Sequence, residues 1–404
     1  MTNESDFLFA GLKVLDVGTW IASPLAATIL GDFGATVIKV EAPKGGDPYR
    51  AMAALPIMPK TPVNFGWLLG SHNKRSITLN LKSEEGRDVL RKLVADCDVY
   101  VTNQPLPMRR ALGLTYEDLA PLNERMIFAS VTAYGEKGPD ADLEAFDTVA
   151  WWARSGLMDH VRAPGALPAG TIAHAMGDHP TAVTLYAAIV TALLRRERTG
   201  KGSMVHTSLL ANGVWSNAIL GQAAMVGATF SDPKHTPLAP NDLLFETSDG
   251  RFVKPFMLRN QKEIDRLLVT AGLEWAIADP RFTDAQTRLT NLPVLSDLLT
   301  EAFLKRTAAE WVEIFRLAGT PLVLAARTAD LPNDPQLIAN NMVAPPTDPS
   351  VPAKLVINHP LNIDGLARVG TRHPPELGEH TREILSGLGY SEADISGLSD
   401  RDVT

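Results

Sequence analysis

Residues 12–41 hold two short apolar runs separated by a helix-length segment, and this spacing constrains the fold more than any other feature of the chain. Residues 12–17 and 36–41 read as strands. Residues 22–33 read as a helix with small side chains on one face. Strand, helix and strand inside about 30 residues make a βαβ unit, so the two strands run parallel. The pattern recurs, with strands predicted at 75–81, 99–101 and 126–132. A helix is predicted at 83–95, with Ser83 as its cap and Glu85 in its first turn. The fold class is therefore α/β: a large domain with an open parallel sheet and flanking helices. Ligands of such sheets bind beyond the carboxyl ends of the strands. That rule selects residues 19–21, 103–104 and 132–137 as rim residues. The turn at 18–24 carries one glycine, Gly18, where a dinucleotide fingerprint needs three, which excludes NAD binding by that motif.

Downstream, Val183, Tyr186, Ile189, Val190 and Leu193 recur at helical spacing, predicting a helix from Asp178 to Arg198 that Gly200 stops. Past about residue 225 the texture changes. Residues 229–241 are rich in turn formers and prolines and read as a linker. Residues 244–255 read as a hairpin around Asp249 and Gly250, and short helices follow to about residue 318. Residues 345–352 read as loop, and helices are expected at 380–388 and 393–398. The chain of 404 residues suits two domains. Residues 1–225 and 335–404 are assigned to the large α/β domain and 226–334 to a smaller α+β domain.

A net charge of −8 argues against nucleic acid as a partner, while leaving room for a local basic pocket. The single cysteine, Cys97, rules out an intrachain disulfide and fits a cytoplasmic location; its place at a helix end running into a strand reads as packing. The acidic, polar N-terminus is unlike a signal peptide, and no apolar run suggests a membrane span. His174 and His179 are five apart and do not share a helical face, so no metal is expected. The Gly-x-Ser-x-Gly elbow of serine hydrolases is missing.

Asp178 occupies the first turn of its helix, where unpaired N–H groups and the helix dipole favour a negative charge. It reads either as an N-cap or as an ionised carboxylate nucleophile. Asn73, Lys74 and Arg75 form a basic loop edge suited to phosphates, and Arg109 with Arg110 forms a second. Phe146 and Asp147, followed by Trp151, Trp152 and Arg154, read as core or as the wall of an acyl pocket.

Taken in order, these segments resemble the class III CoA-transferases, a family that includes formyl-CoA transferase, carnitine CoA-transferase and the α-methylacyl-CoA racemases. Residues 11–17, residues 30–43 with Gly46 and Asp47, and residues 73–76, 113–119, 195–202 and 377–385 carry the resemblance, which spans nearly the whole chain. It implies that Asp178 is the nucleophile, attacking an acyl-CoA carbonyl and passing through an aspartyl-CoA thioester. It places coenzyme A, as co-substrate, at Trp20, Ile21, Ala22, Asn73, Lys74, Arg75, Asn103, Gln104 and Lys137. An arginine common after the second strand is Ala42 here, and Arg109 or Arg110 is the substitute for another of the family's contacts. Phe146 stands where the racemases carry a proton-moving histidine, which disfavours racemisation unless His174 or His179 replaces it. The glycine-rich loop tied to formyl and oxalate substrates is not visible. Residues 146–157 resemble the branch acting on aryl or branched 2-hydroxy acids, of the phenyllactate type. The substrate is expected to be a bulky 2-hydroxy, aryl or dicarboxylic acid, with Phe146, Trp151 and Trp152 walling the acyl group and Arg154 holding a second carboxylate. The resemblance also implies an interlocked-ring homodimer, with a CoA-binding subunit of a heteromeric transferase as the alternative.

Overall fold

Six parallel strands build the sheet of the first unit: β1 (Lys13–Asp16), β2 (Thr36–Glu41), β3 (Lys74–Thr78), β4 (Val99–Thr102), β5 (Ile127–Thr132) and β6 (Ser203–Ser208). The computed structural model describes residues 6–162, 165–230, 242–256 and 260–404. The strand order is β3-β2-β1-β4-β5-β6. Val14 therefore lies between Val37 of β2 and Val99 of β4. Strand order reverses at β1, which puts a crevice between the carboxyl ends of β1 and β4. β6, with its serines, threonine and histidine, shows no apolar alternation, and the sequence did not announce it.

Helix α1 (Ala22–Asp32) is buried along nearly its whole length, because Ala22, Ser23, Ala26, Ala27 and Gly31 let neighbours approach closely. With helix Asp178–Thr199 it covers one sheet face, where Ile29, Leu30, Val37, Val99, Ile127, Leu185 and Ile189 form the core. Gly200 ends the long helix in the left-handed conformation, φ 71°, and donates its N–H to the Arg196 carbonyl. The other face is covered by helix Glu84–Ala95, capped by the Ser83 hydroxyl, and by helices Thr381–Gly387 and Glu392–Asp400. Leu90, Phe128, Leu385 and other apolar side chains meet there, each contributing about 1.5–3 kcal/mol by burial. Cys97 packs in this layer; burial, then Asp98 and Asp96, pushes its thiol up to about 12, so it is no nucleophile at neutral pH.

The first unit comprises Met1–Val161, Pro168–Ala228 and Gln336–Thr404; the second comprises Arg162–Leu167 and Thr229–Pro335. In the second unit Phe245–Glu246, Phe252–Pro255 and Leu322–Leu324 form an antiparallel sheet. Its hairpin turns at Gly250, φ 66°. Phe245, Phe303, Trp311 and Phe315 centre a separate core. The linker expected at 229–241 falls almost wholly outside the described residues. Among the described residues no helix is long and apolar enough to cross a membrane.

Candidate active site

The turn after β1 is held from below by buried charge. Asp16, Lys39, Asp47 and Lys74 are almost completely removed from solvent. Lys39 Nζ lies 2.9 Å from Asp47 and 3.8 Å from Asp16, and Lys74 Nζ lies 2.9 Å from Asp16. Burial works against the charge on Asp16, but the two ammonium groups override it and hold its carboxyl below the usual range. Lys39 also donates to the Gly18 carbonyl, and Lys74 to that of Pro24 at 2.8 Å. Asp47 Oδ1 accepts the backbone N–H of Trp20 at 3.0 Å and that of Tyr49 at 2.9 Å. Asn103, beyond β4, closes the crevice from the other side: its amide accepts from Thr19 N and donates to Thr19 O, both at 2.8 Å. These bonds keep Trp20 at φ 62°, a left-handed conformation that costs a non-glycine residue about 1–2 kcal/mol.

Asp178 is the first residue of the long helix, and the helix start has no side-chain cap. Its carboxylate has no hydrogen-bond partner among the described residues. Burial, reinforced by the neighbouring Asp147 carboxylate, raises it from 3.8 to about 7. The cap reading therefore fails, and so does the expectation that the helix start keeps Asp178 firmly ionised. Without a bond from the first-turn amides, desolvation wins. Asp147 is buried, accepting Gly177 N–H on one oxygen at 3.0 Å and Thr148 N–H on the other at 2.8 Å. A Cβ at Gly177 would lie 2.6 Å from Trp151 Cγ and 2.8 Å from Asp147 Cβ. Only glycine lets the helix start settle this closely onto Asp147 and Trp151.

A cavity of about 690 Å³ opens in front of Asp178. Trp20, Ile21, Ala22, Asn103 and Phe146 line it, as do Met52, Leu55, Ile57, Met58, Val131, Leu143, Glu144, Asp147, Val149, His174 and Leu209. A neighbouring cavity of about 480 Å³ shares Thr19 and is lined by Gln104, Lys44, Lys82, Gly46 and Met108. Both lie at the carboxyl ends of the strands.

Other expected site residues are placed elsewhere. Asn73, Lys74 and Arg75 sit at the amino end of β3. Lys74 is enclosed with Asp16, Asn73 donates to Asp32 at 2.9 Å, and Arg75 pairs with Glu383 at 2.9 Å. Arg109 is buried in a two-oxygen pair with Glu136, both contacts 2.9 Å, and Arg110 pairs with Asp142 at 2.9 Å. Trp151 and Trp152 stack on each other in a cluster with Ala150, Leu157 and Leu209, and Trp152 donates to Ala169 O. They support the floor under Gly177 and do not wall the cavity. Arg154 lies over the Tyr134 ring, pairs with Asp140 at 2.5 Å and is not among the residues that line the cavity. Lys137 is exposed on the loop after β5.

A profile described as CoA-transferase family III matches residues 9–381. The chain belongs to CoA-transferase family III. The (R)-2-hydroxy-4-methylpentanoate CoA-transferase of Clostridioides difficile is 30% identical over 397 residues, covering 98% of this chain and 99% of that protein. The succinyl-CoA:glutarate CoA-transferase of Mus musculus is 31% identical over 406 residues, 96% of this chain and 88% of that one. The crystal structure of a CAIB/BAIF family protein from Brucella suis matches with a TM-score of 0.82 at 28% identity, covering 95% of this chain and 100% of its own.

For a CoA-transferase, whose substrates are CoA thioesters, the cavity also contains residues that sequence reasoning did not assign to the site. Asp147 was seen only as the neighbour of Phe146. Behind the lining, Tyr49 is buried with Ile21, which does line the cavity, and with Trp67. Burial, then the charges of Asp178 and Asp47, keeps its phenol protonated. A lysine inside the apolar strand β2 and the Gly46-Asp47 pair were the available signals for the buried quartet.

Proposed function

We propose that this family III transferase moves CoA from an acyl-CoA to a carboxylic acid through an aspartyl-CoA thioester on Asp178. The observation that carries this is the uncapped Asp178 carboxylate, raised to about 7, facing a cavity at the carboxyl edge of the sheet. The ionised carboxylate attacks the thioester carbonyl, and the C–S bond breaks to give a mixed anhydride and CoA thiolate. The thiolate then attacks the aspartyl carbonyl, releasing the acyl group as its carboxylate and leaving the thioester. The acceptor acid reverses these steps and departs as its CoA ester.

The acyl group and the thiol end of CoA occupy the larger cavity. The nucleotide end occupies the cavity that shares Thr19, where Lys82 supplies positive charge beside Lys44, itself paired with Asp402 at 2.8 Å. This placement replaces the basic loop at Asn73 to Arg75. The proposed acids are the bulky 2-hydroxy or aryl ones, since a relative acts on a branched 2-hydroxy acid. We also propose a homodimer. Trp215, Ile219 and Met225, on helices Leu209–Ser216 and Ala218–Met225, are 80% or more exposed and suit a second copy. Light scattering checks this; a monomer, or a partner chain required for activity, counts against it.

Incubation with acyl-CoAs, borohydride or hydroxylamine trapping and peptide mapping tests the mechanism. A modification on the Asp178 peptide that vanishes in Asp178→Ala supports it. Deuterium wash-in at the α-carbon with no adduct indicates racemase chemistry instead.

A further inference from the structure

The mouth of the Asp178 cavity is ringed by apolar side chains. Leu55, Ile57, Leu143, Phe146 and Val149 stand around its mouth, each 42–72% exposed. Single exposed apolar side chains are ordinary; a set of them converging on one opening marks a surface shaped to be covered. Farther in, Met52 and Met58 add flexible apolar surface that adapts to irregular groups. Trp20 meets Phe146 edge-on, ring centres 5.6 Å apart, forming an aromatic corner.

The charges on that wall are of one sign. Glu144, Asp147 and Asp178 are acidic, and the described lining residues include no lysine or arginine. His174 is the sole basic side chain among them. A second carboxylate on the substrate would leave water for a surface of apolar groups and like charges, with no guanidinium or ammonium to receive it. The arginine that sequence suggested for this task, Arg154, is turned onto Tyr134 and Asp140. The cavity's roughly 690 Å³ lies within the range of small-molecule sites.

We infer that this site, on the transferase reading proposed above, takes bulky neutral acyl groups, branched or aryl, and discriminates against dicarboxylic acids. Discrimination resides in the acyl cavity, so it acts at formation of the Asp178 adduct.

The test is single-turnover labelling of the full-length enzyme by 4-methylpentanoyl-CoA, 3-phenylpropanoyl-CoA and succinyl-CoA, read as CoA on the Asp178 peptide by mass spectrometry. The neutral donors should label on the order of 100-fold faster than succinyl-CoA. Phe146→Lys places a cation at the solvent-exposed mouth and should narrow that gap by about 10-fold. Succinyl-CoA labelling at an equal or greater rate overturns the inference, as does an unchanged gap in a folded Phe146→Lys variant. No label from any donor, in protein that still binds CoA by calorimetry, removes the transferase reading itself and the inference with it.

Discussion

Asp147 accepts the backbone N–H of Gly177 at 3.0 Å, and this one bond seats a second carboxylate beside the helix start that carries Asp178. Asp147 thus has two separable effects: its oxygen anchors the backbone and its charge raises Asp178. Asp147→Asn retains an acceptor for Gly177 and removes the charge. The acid limb of kcat/KM should move to lower pH while kcat on the plateau changes little. Asp147→Ala removes both, and kcat should fall about 10–100-fold. An unmoved acid limb in Asp147→Asn would show that the charge plays no part.

Asp178 should give the free enzyme an acid limb near pH 7 in kcat/KM, because the nucleophile must be ionised. The same shift fixes a stability slope. Folding raises this group from 3.8 to about 7, so its contribution is intact below pH 4 and is lost as pH rises through 7. Asp178→Asn, which never ionises, should be inactive yet more stable than the wild type by on the order of 4 kcal/mol at pH 8, with the difference gone at pH 4. Thermal unfolding at the two pH values reads this directly.

Gly177→Ala forces a methyl group against Trp151 and Asp147 at separations that side chains do not tolerate. The helix start must shift, with a stability loss of about 1–3 kcal/mol. A shift near 1 Å at Asp178 should lower kcat about 100-fold. Adding Trp151→Leu relieves the contact and should recover part of the stability. Denaturant midpoints and kcat for the single and double variants decide it.

Lys74 separates the two assignments of the basic loop. As a buried partner of Asp16 it is structural, so Lys74→Met should lose about 3–5 kcal/mol by leaving the buried carboxylate with only the more distant Lys39 ammonium. A stable Lys74→Met with a raised KM for acyl-CoA would instead return this residue to phosphate binding.

Asn103→Ala removes both bonds to Thr19 and frees the turn that holds Trp20 in its left-handed conformation. KM for acyl-CoA should rise about 10-fold with stability changed by about 1–2 kcal/mol. Chemical-unfolding curves and initial rates at varied acyl-CoA distinguish this from global destabilisation.

Local pattern carried most of the fold. The βαβ spacing at residues 12–41 foretold the parallel sheet, Ser83 the start of helix Glu84–Ala95, and Gly200 the end of the helix that begins at Asp178. These depend on neighbours within a few residues, which is the range over which periodicity and capping act. β6 escaped because its partner β5 supplies the hydrogen bonds that its own composition does not advertise.

The ordered segments of the chain also determined the family and singled out Asp178. Only the tertiary structure decided what surrounds it. Lys74 and Arg109 look like surface cations in the sequence, but in the fold they pair with Asp16 and Glu136, 58 and 27 residues away. Trp151 and Trp152 became floor because Gly177 leaves room for the helix to rest on them. The ionisation of Asp178 was likewise out of reach of the sequence. It depends on burial and on Asp147, and desolvation and charge proximity are properties of where the folded chain brings groups together.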